Sequence, residues 1–396
     1  MDREQQLEVV NNSWPPFSTS QAAKVLREIP DFREERIASL SPSSRPMAAA
    51  CLVTTVSGKQ VFLKRYHQNL VTVAELESKH SFVNQLADGG FSTPRFFCFN
   101  QGGSTLTAGE WIIEASAGAA GQDRYRDLRS WLPPKTREEA VELGRLAARL
   151  RIASQKIQAH SLEPGPYQNR IELLLGDPLP KLAGFLDTHP VLANYLQDNG
   201  HDLGTALEPL RPFARALAPL ADAPRYFTHG DLHVSNTFWE GNSISSLIDF
   251  GLACPNPPLF DLAVLLERHS IDWISITEGK TESYWPQVAG DLLTGYGQIF
   301  PLPAEEIEML GAMIVLCNAE FSLSTIEYDL LAPIDPKIKD WAWDIGFQGH
   351  SQWFLTEPGK KYLSLINQLA KEKHAKNSYR FSLHPGPNFG GVCHGI

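Results

Sequence analysis

The sequence lacks the cysteine pattern of a disulfide-bonded or zinc-binding protein. Its 396 residues contain five cysteines and no Cys-x-x-Cys pair, which predicts reduced thiols in a cytoplasmic protein. His229 and His233 have the i, i+4 spacing of some zinc ligands, but they fall in a predicted loop. No catalytic glutamate pattern accompanies them, so the sequence argues against a zinc enzyme.

Long apolar runs and an excess of positive charge are also missing. No stretch approaches the roughly 18 apolar residues that cross a bilayer, and the acidic N-terminus does not look like a secretory signal. Lysine and arginine number 35 against 45 aspartates and glutamates, a net charge of −10. That balance opposes binding to a polyanion. We therefore expect neither a membrane nor a nucleic acid as a partner.

A Walker-type phosphate loop is absent as well. Residues 278–281 read EGKT, but the motif requires another glycine five positions before the glycine of its Gly-Lys-Thr, and that position is Ile274. We therefore reject this fragment as a phosphate-binding loop.

The first part of the chain predicts a small β-sheet with one main helix. Residues 47–66 have the pattern of a β-hairpin that turns at Ser57-Gly58. Apolar positions between 72 and 87 recur at helical spacing, and a Gly-Gly pair would end that helix. Further strands are predicted at 92–100 and 109–116.

The chain after residue 116 has a mainly helical pattern. We predict an α+β fold of two lobes: a β-rich N-terminal lobe (1–116), a mainly helical C-terminal lobe (117–380) and a flexible tail (381–396). A crevice between two such lobes is a common place for a ligand site. The predicted helices are at 136–160, 168–176, 190–198, 204–221, 260–269, 284–298, 303–331 and 358–374.

Two short apolar runs near the middle of the chain each lead to an acid. Asp231 follows the first run, Asp249 follows the second, and Asn236 lies between them. If the two strands pair as a hairpin, their loops emerge at the same end and these side chains face one point. Carboxylate and amide oxygens suit Mg²⁺, which commonly binds carboxylates together with substrate phosphates.

A lysine on a predicted strand completes the set of groups that phosphoryl transfer requires. Lys64 shares a strand face with Phe62 and Tyr66, and an inward-facing lysine needs an anionic partner such as a phosphate. Kinase-type transfer uses an acid that accepts the hydroxyl proton, an Asn and an Asp that bind metal, and a strand lysine. The sequence offers each of these groups.

Three segments together carry a family resemblance: HGDLHVSN (229–236), LIDFG (247–251) and FDLA (260–263). The chain resembles the aminoglycoside phosphotransferase/choline kinase family, which includes homoserine kinase-like and methylthioribose kinase-like enzymes. The resemblance covers roughly residues 30–370. It implies a bilobal protein-kinase-like fold that uses ATP or GTP and Mg²⁺ to phosphorylate a hydroxyl group of a small molecule.

The resemblance also implies a role for each matched residue. Asp231 would be the catalytic base, Asn236 and Asp249 the metal ligands, and Lys64 a contact of the α- and β-phosphates. Backbone groups of WIIEAS (111–116), which contains Glu114 and Ser116, would read the adenine. His229 and Asp261 would support the catalytic loop.

The small-lobe helix departs from the family pattern. That helix normally carries a glutamate that pairs with the strand lysine, and Lys79 stands at the corresponding position. Glu75 lies one helical turn earlier on the same face. We therefore predict that Glu75 pairs with Lys64, with Glu77 as the second choice.

The phosphate-covering loop is a second departure. Residues 41–47 read SPSSRPM and contain no glycine. Ser43 and Ser44 are expected to donate hydrogen bonds to the phosphates instead.

The helix predicted at 303–331 offers one further candidate surface. Glu320, Ser324 and Glu327 share one face of it. A solvated face is the favoured interpretation, and a wall of the acceptor site is the alternative.

The leading hypothesis is an ATP- and Mg²⁺-dependent phosphotransferase that acts on a hydroxyl of an antibiotic, an amino alcohol or a metabolite. Two alternatives stay open: a kinase for Ser or Thr of a peptide in natural-product maturation, and a nucleotide-binding pseudokinase without transfer activity. The oligomeric state is left open.

Overall fold

The chain folds into a small sheet-containing lobe followed by a larger, mainly helical lobe, as predicted. This computed structural model describes residues 14–43, 47–126, 128–157, 165–332 and 337–383, with side chains described up to residue 373.

The small lobe is built on a five-stranded antiparallel sheet with the strand order β1-β2-β3-β5-β4. Two helices accompany it, α1 (Thr19–Arg27) and α2 (Val73–Asp88). The strands are β1 (Ile37–Ser43), β2 (Ala49–Thr55), β3 (Gln60–His67), β4 (Thr105–Ala108) and β5 (Trp111–Ala117).

Local sequence signals explain the central elements of this lobe. The β2–β3 hairpin turns at Gly58, whose φ of +86° suits glycine. Helix α2 begins with a capping box. The Thr72 hydroxyl accepts a hydrogen bond from the N–H of Glu75 at 3.1 Å, and the Glu75 carboxylate accepts one from the N–H of Thr72 at 3.4 Å. The hairpin and helix predictions are confirmed.

The strand predicted at 92–100 is wrong. The Asn84 side chain bonds both backbone groups of Phe96, at 2.8 and 3.2 Å. Only an isolated bridge to Ser116 forms there, and β4 takes the edge of the sheet instead. On either side of Phe96 the backbone makes one hydrogen bond each to β5, at Arg95 and Phe97. The pairing ends there because a side chain satisfies Phe96, which sequence periodicity does not reveal.

The larger lobe contains most of the helices. The last helix, Glu357–Leu383, extends past residue 381, where the tail was predicted to begin. The remainder of the predicted tail lies outside the described residues. The predicted division at residue 116 stays a prediction. The helices are α3 (Arg137–Ser154), α4 (Pro178–Leu186), α5 (Pro190–Asp198), α6 (Leu203–Ala206), α7 (Arg211–Ala216), α8 (Phe260–Ser270), α9 (Trp273–Thr277), α10 (Pro286–Ile299), α11 (Ala304–Leu331), α12 (Ile338–Trp341), α13 (His350–Trp353) and α14 (Glu357–Leu383), with a π-helical turn at Ala342–Gly349.

Two predicted helices of this lobe are wrong as continuous elements. The range 168–176 contains only a 3₁₀ turn, Ile171–Leu173. The range 204–221 is broken into short pieces, because its three prolines lack the N–H that a continuing helix needs.

Four short strands in the larger lobe frame the two acid-bearing loops. They form two separate ribbons, β6 with β9 and β7 with β8. The prediction that the strands before Asp231 and Asp249 pair with each other is therefore wrong. The strands are β6 (Tyr226–Thr228), β7 (Thr237–Glu240), β8 (Ser243–Leu247) and β9 (Cys254–Asn256).

Helix α11 is long and apolar enough in composition to cross a membrane, but 78% of its most apolar window is buried inside the protein. Neighbouring helices cover it on all sides, which explains an apolar helix without one apolar stripe. It is the central helix of the larger lobe's core.

Helices α3 and α10 pack closely because glycines lie at their contact. A Cβ on Gly295 would clash with the carbonyl group of Val141, and a Cβ on Gly144 would clash with that of Leu292. Gly290, also on α10, has only side-chain atoms of Leu369 nearby, at 3.8 Å or more.

We expect Gly295→Ala to destabilise the protein by about 1–3 kcal/mol, because the two helices must move apart. Gly290→Ala on the same helix is the matched control, and it should be neutral or stabilise by up to about 1 kcal/mol through helix propensity. Urea unfolding of both variants measures the difference. Equal effects would contradict the close packing of α3 on α10.

Candidate active site

The loop after β6 is held in place by Asp261, in the first turn of α8. Its carboxylate accepts hydrogen bonds from the backbone N–H groups of His229 at 2.8 Å and Gly230 at 3.0 Å. Gly230 has a φ of +83°, and a Cβ there would meet the carbonyl oxygen of Leu252 and the side-chain oxygen of Asn169. Only glycine fits this position. Asp261 therefore bonds the loop on one side, and Leu252 and Asn169 pack against it on the other.

Hydrogen bonds between loops bring the two acids together. His229 Nε2 donates to the carbonyl of Ile248 at 2.8 Å, and its Nδ1 accepts from the N–H of Asp231 at 3.3 Å. The N–H of Ile248 donates to the carbonyl of Asn236 at 2.9 Å. The Asn236 side chain donates to the carbonyl of Asp231 at 3.0 Å. Asp249 directly follows Ile248, so the predicted acid, amide and acid converge although their strands do not pair.

Asp231 is paired with an arginine that sequence reasoning missed. Arg268 Nη2 donates to Asp231 Oδ1 at 3.0 Å, and His233 Nε2 lies 3.4 Å from Oδ2. The buried guanidinium lies 4.2 Å from the Trp131 ring and 5.3 Å from the Phe321 ring. Burial would raise the pKa of Asp231, but the attraction of His233 and Arg268 outweighs it and holds the pKa below its ordinary value. The carboxylate is therefore ionised at neutral pH.

Lys64 lies on β3 and faces the second acid. Its Nζ donates to Asp249 Oδ1 at 2.7 Å, and only 5% of Lys64 is exposed. The ammonium also lies 4.8 Å from the ring centre of Tyr66. The predicted need of Lys64 for an anionic partner is met by Asp249 here, and its contact with nucleotide phosphates stays a prediction.

The predicted pair of Glu75 and Lys64 is wrong. Glu75 is fully buried and accepts a hydrogen bond from Lys79 Nζ at 2.6 Å. Lys79 donates further bonds to the carbonyl groups of Tyr167 and Gly251, each at 2.7 Å. Because the i, i+4 partner on the same helix satisfies Glu75, its carboxylate is engaged away from Lys64.

The remaining predicted nucleotide contacts lie at the sheet. Ser43 is the last residue of β1 and pairs with β2, so the predicted loop begins later than residue 41. Ser44 lies outside the described residues. Glu114 and Ser116 pair with β3 inside the sheet, and Glu114 Oε2 lies 2.9 Å from His80 Nε2. The roles of these residues toward the nucleotide stay predictions.

The predicted solvated face of α11 is wrong, because its polar residues are buried. Glu320, Ser324 and Glu327 are 2%, 6% and 4% exposed. Glu320 accepts hydrogen bonds from the N–H of Arg170 at 2.8 Å and from Ser324 at 2.6 Å, and burial raises the pKa of Glu320 to about 7. Glu327 pairs with Arg170 at 2.8 Å. They border an apolar cavity between α4, α5 and α11.

Helix α8 contributes two further residues that sequence reasoning missed, Arg268 and His269. His269 accepts from the N–H of Val234 and donates to the carbonyl of Leu132, each at 2.9 Å. With Asp261 these residues stand at i, i+7 and i+8, which is one face of a helix. That spacing was available from the sequence and could have found them.

The donor set fits a hard cation held together with phosphates. Asn236 and Asp249 offer one amide and one carboxylate oxygen ligand, the kind that Mg²⁺ prefers. No group of three or more His, Cys, Asp or Glu residues suited to a metal occurs in the part of the chain that the structure describes. A cation on Asn236 and Asp249 would take its remaining ligands from substrate phosphates or water.

Comparison with known proteins agrees with this arrangement. A family model described as the phosphotransferase enzyme family matches residues 48–305, which is more than half of the chain. The resemblance seen in the three motif segments is thus confirmed by a match that extends over both lobes.

Curated relatives are homoserine kinases. That of Gluconobacter oxydans is 26% identical over 226 residues, which covers 54% of this chain and 62% of that protein. That of Hyphomonas neptunium is 33% identical over 113 residues, which covers 28% and 34%. The chain therefore matches less than two thirds of the length of these relatives.

A solved structure of an amicoumacin kinase in complex with AMP-PNP and Ca²⁺ has the same fold. It covers 95% of this chain and 96% of its own, with a TM-score of 0.53 and 12% identity. At that identity the likeness concerns the fold alone, and it confirms the predicted bilobal, kinase-like α+β architecture.

We expect Arg268→Met to lower the free energy of unfolding by about 2–3 kcal/mol, because it leaves the Asp231 carboxylate without its cation. This is below the value for a fully buried pair because the Asp231 side chain is 26% exposed. Urea unfolding at neutral pH measures the loss.

The matched control is the double variant Asp231→Asn/Arg268→Met, which removes both charges. It should recover most of the lost stability. The free energy of unfolding lost by the double variant is compared with the sum of the losses of Asp231→Asn and Arg268→Met. If the two are equal, the ion pair is not the reason for the loss.

Proposed function

Because the chain belongs to the phosphotransferase enzyme family, we propose that it transfers the terminal phosphoryl group of ATP, with Mg²⁺, to a hydroxyl group of a small molecule. The observation that carries the proposal is the convergence of Asp231, Asn236 and Asp249 around Ile248. Lys64 donates a hydrogen bond to the Asp249 carboxylate at the same place. An unrelated buried site would not need two acids, an amide and a lysine in this order.

Asp231 is proposed to orient the acceptor hydroxyl and to accept its proton. Arg268 Nη2 bonds Oδ1 at 3.0 Å, whereas His233 Nε2 lies at the longer distance of 3.4 Å from Oδ2. Oδ2 is therefore the oxygen proposed to receive the hydroxyl's hydrogen bond. A carboxylate with a lowered pKa is a weak base, which suits phosphoryl transfer because its loose transition state needs the proton removed late. Arg268 thereby fixes the direction of attack more than the strength of the base.

Asn236 and Asp249 are proposed to hold Mg²⁺, which would neutralise the charge that develops on the phosphates. Lys64 is proposed to exchange its contact with Asp249 for a phosphate oxygen when the nucleotide binds. The backbone of residues 111–116, which includes Glu114 and Ser116, is the proposed site of base recognition. AMP-PNP in the related amicoumacin kinase supports ATP, and GTP is tested in the same assay.

The acceptor is proposed to be a small hydroxyl-bearing molecule that is neutral or cationic. The named activities of relatives, homoserine kinase and amicoumacin kinase, support a small acceptor, and the net charge of −10 disfavours a polyanion. We also propose a cytoplasmic location, because the enzyme would need ATP. Cys51, Cys254 and Cys317 are buried free thiols, as a reducing compartment allows.

No specific observation favours either alternative hypothesis, the peptide kinase or the pseudokinase. The pseudokinase hypothesis draws on Lys79, which stands where the family carries the glutamate that pairs with the strand lysine. In the structure Asp249 pairs with Lys64 and Glu75 pairs with Lys79, so neither lysine lacks an anionic partner. Transfer to a peptide is tested by including peptide acceptors in the screen.

We expect Asp231→Asn to reduce transfer by about 10²–10⁴-fold, since the general base is lost. Nucleotide affinity should change little. Asp249→Asn should reduce both transfer and Mg²⁺-dependent nucleotide binding. A screen of ATP consumption over hydroxyl-bearing antibiotics, amino alcohols and metabolites measures transfer, and calorimetry measures binding.

The control is Asp88→Asn, since this acid lies at the surface of the small lobe and pairs with Arg95. It should retain wild-type activity. Transfer at the wild-type rate by the Asp249→Asn variant would refute the proposed mechanism.

A further inference from the structure

Lys79 makes a buried three-way contact between elements that are distant in sequence. Only 1% of the residue is exposed. Its Nζ donates to Glu75 on α2, to the carbonyl of Tyr167, and to the carbonyl of Gly251 in the loop after β8, all at 2.6–2.7 Å. An ammonium group has three N–H donors, so all of them are used.

The loop that receives Lys79 needs support, because its backbone is strained. Asp249 has a φ of +66° and is the one non-glycine residue with positive φ among those that the structure describes. Such a conformation persists only when surrounding contacts hold it. Two residues later, a Cβ on Gly251 would lie 2.9 Å from the Tyr66 hydroxyl and 3.0 Å from a ring atom of Tyr167. The backbone of Gly251 is thus closely packed, with its carbonyl directed at Lys79.

Two lysines of the small lobe therefore hold this loop in different ways. Lys64 bonds the side chain of Asp249, which is the group proposed to bind metal. Lys79 bonds the backbone of Gly251. The contact of Lys79 therefore does not use the Asp249 carboxylate and leaves it available to a metal.

We propose that Lys79 is a positioning residue that holds the Asp249 loop in its metal-binding conformation. It takes the place of the pair between the helix glutamate and the strand lysine, and it couples α2 to the metal site through a carbonyl group. The inference rests on the proposed function, because it treats Asp249 as a metal ligand.

The test compares the wild-type protein with Glu75→Gln/Lys79→Met. Glutamine keeps an acceptor for the N–H of Thr72, and removal of both charges leaves no unpaired buried charge. Glu75→Gln alone would leave the Lys79 ammonium without its counter-ion, so it does not serve as the reference. Hydrogen exchange of residues 250–253 is measured on metal-free protein, and affinity for ATP is measured with and without Mg²⁺.

We expect exchange at 250–253 to be about tenfold faster in the double variant than in the wild-type protein, while exchange in α8 is unchanged. Affinity for ATP with Mg²⁺ should fall about tenfold, and affinity without Mg²⁺ should change less than about twofold. Unchanged exchange and affinity would overturn the proposal. Equally faster exchange across the chain would overturn it too, since Lys79 would then only stabilise the fold.

If the double variant does not fold, Lys79→Gln is measured in the same way, because a shorter neutral amide cannot reach both carbonyl groups. The two proposals fail separately. Absence of transfer in the wild-type protein refutes the proposed function, whereas wild-type transfer with an unresponsive loop refutes the role of Lys79 alone.

Discussion

The arrangement of the active site depends on one carboxylate, that of Asp261, which accepts the backbone N–H groups of His229 and Gly230. These amides belong to a loop that no regular strand pairing can satisfy, so an ionic acceptor must replace the missing ladder. Once the loop is fixed, His229 reaches the carbonyl of Ile248. This bond, together with that from the N–H of Ile248 to the carbonyl of Asn236, sets the distance between the two acid-bearing loops.

Helix α8 is therefore a rigid support for the chemistry. One face of it contacts the catalytic loop at three points, through Asp261, Arg268 and His269. Because all three contacts come from one helix, the position of the loop that carries Asp231 depends on α8 rather than on the small lobe. The small lobe contributes its two lysines from β3 and α2, and both end on the Asp249 loop.

Much of the fold could be predicted from sequence, and the structure brings the predicted polar residues Asp231, Asn236 and Asp249 to one place. The hairpin at 47–66, the helix at 72–87 and the long helices of the larger lobe follow from periodicity and turn residues. The strand predicted at 92–100 does not form, because the side chain of Asn84 satisfies the backbone of Phe96. The polar face of α11 was expected in solvent, yet Glu320 and Glu327 are buried against Arg170.

The sequence by itself determined which chemical groups are present and which of them lie near each other along the chain. Motif spacing places Asp231, Asn236 and Asp249 within one short stretch, and helical spacing places Glu75 beside Lys79. Only the tertiary structure decided which charges pair across the fold. Lys64 and Asp249 are 185 positions apart, and Asp231 and Arg268 are 37 apart. Ion pairs form by proximity in space, and the packing of β3 and α8 against the loops sets that proximity.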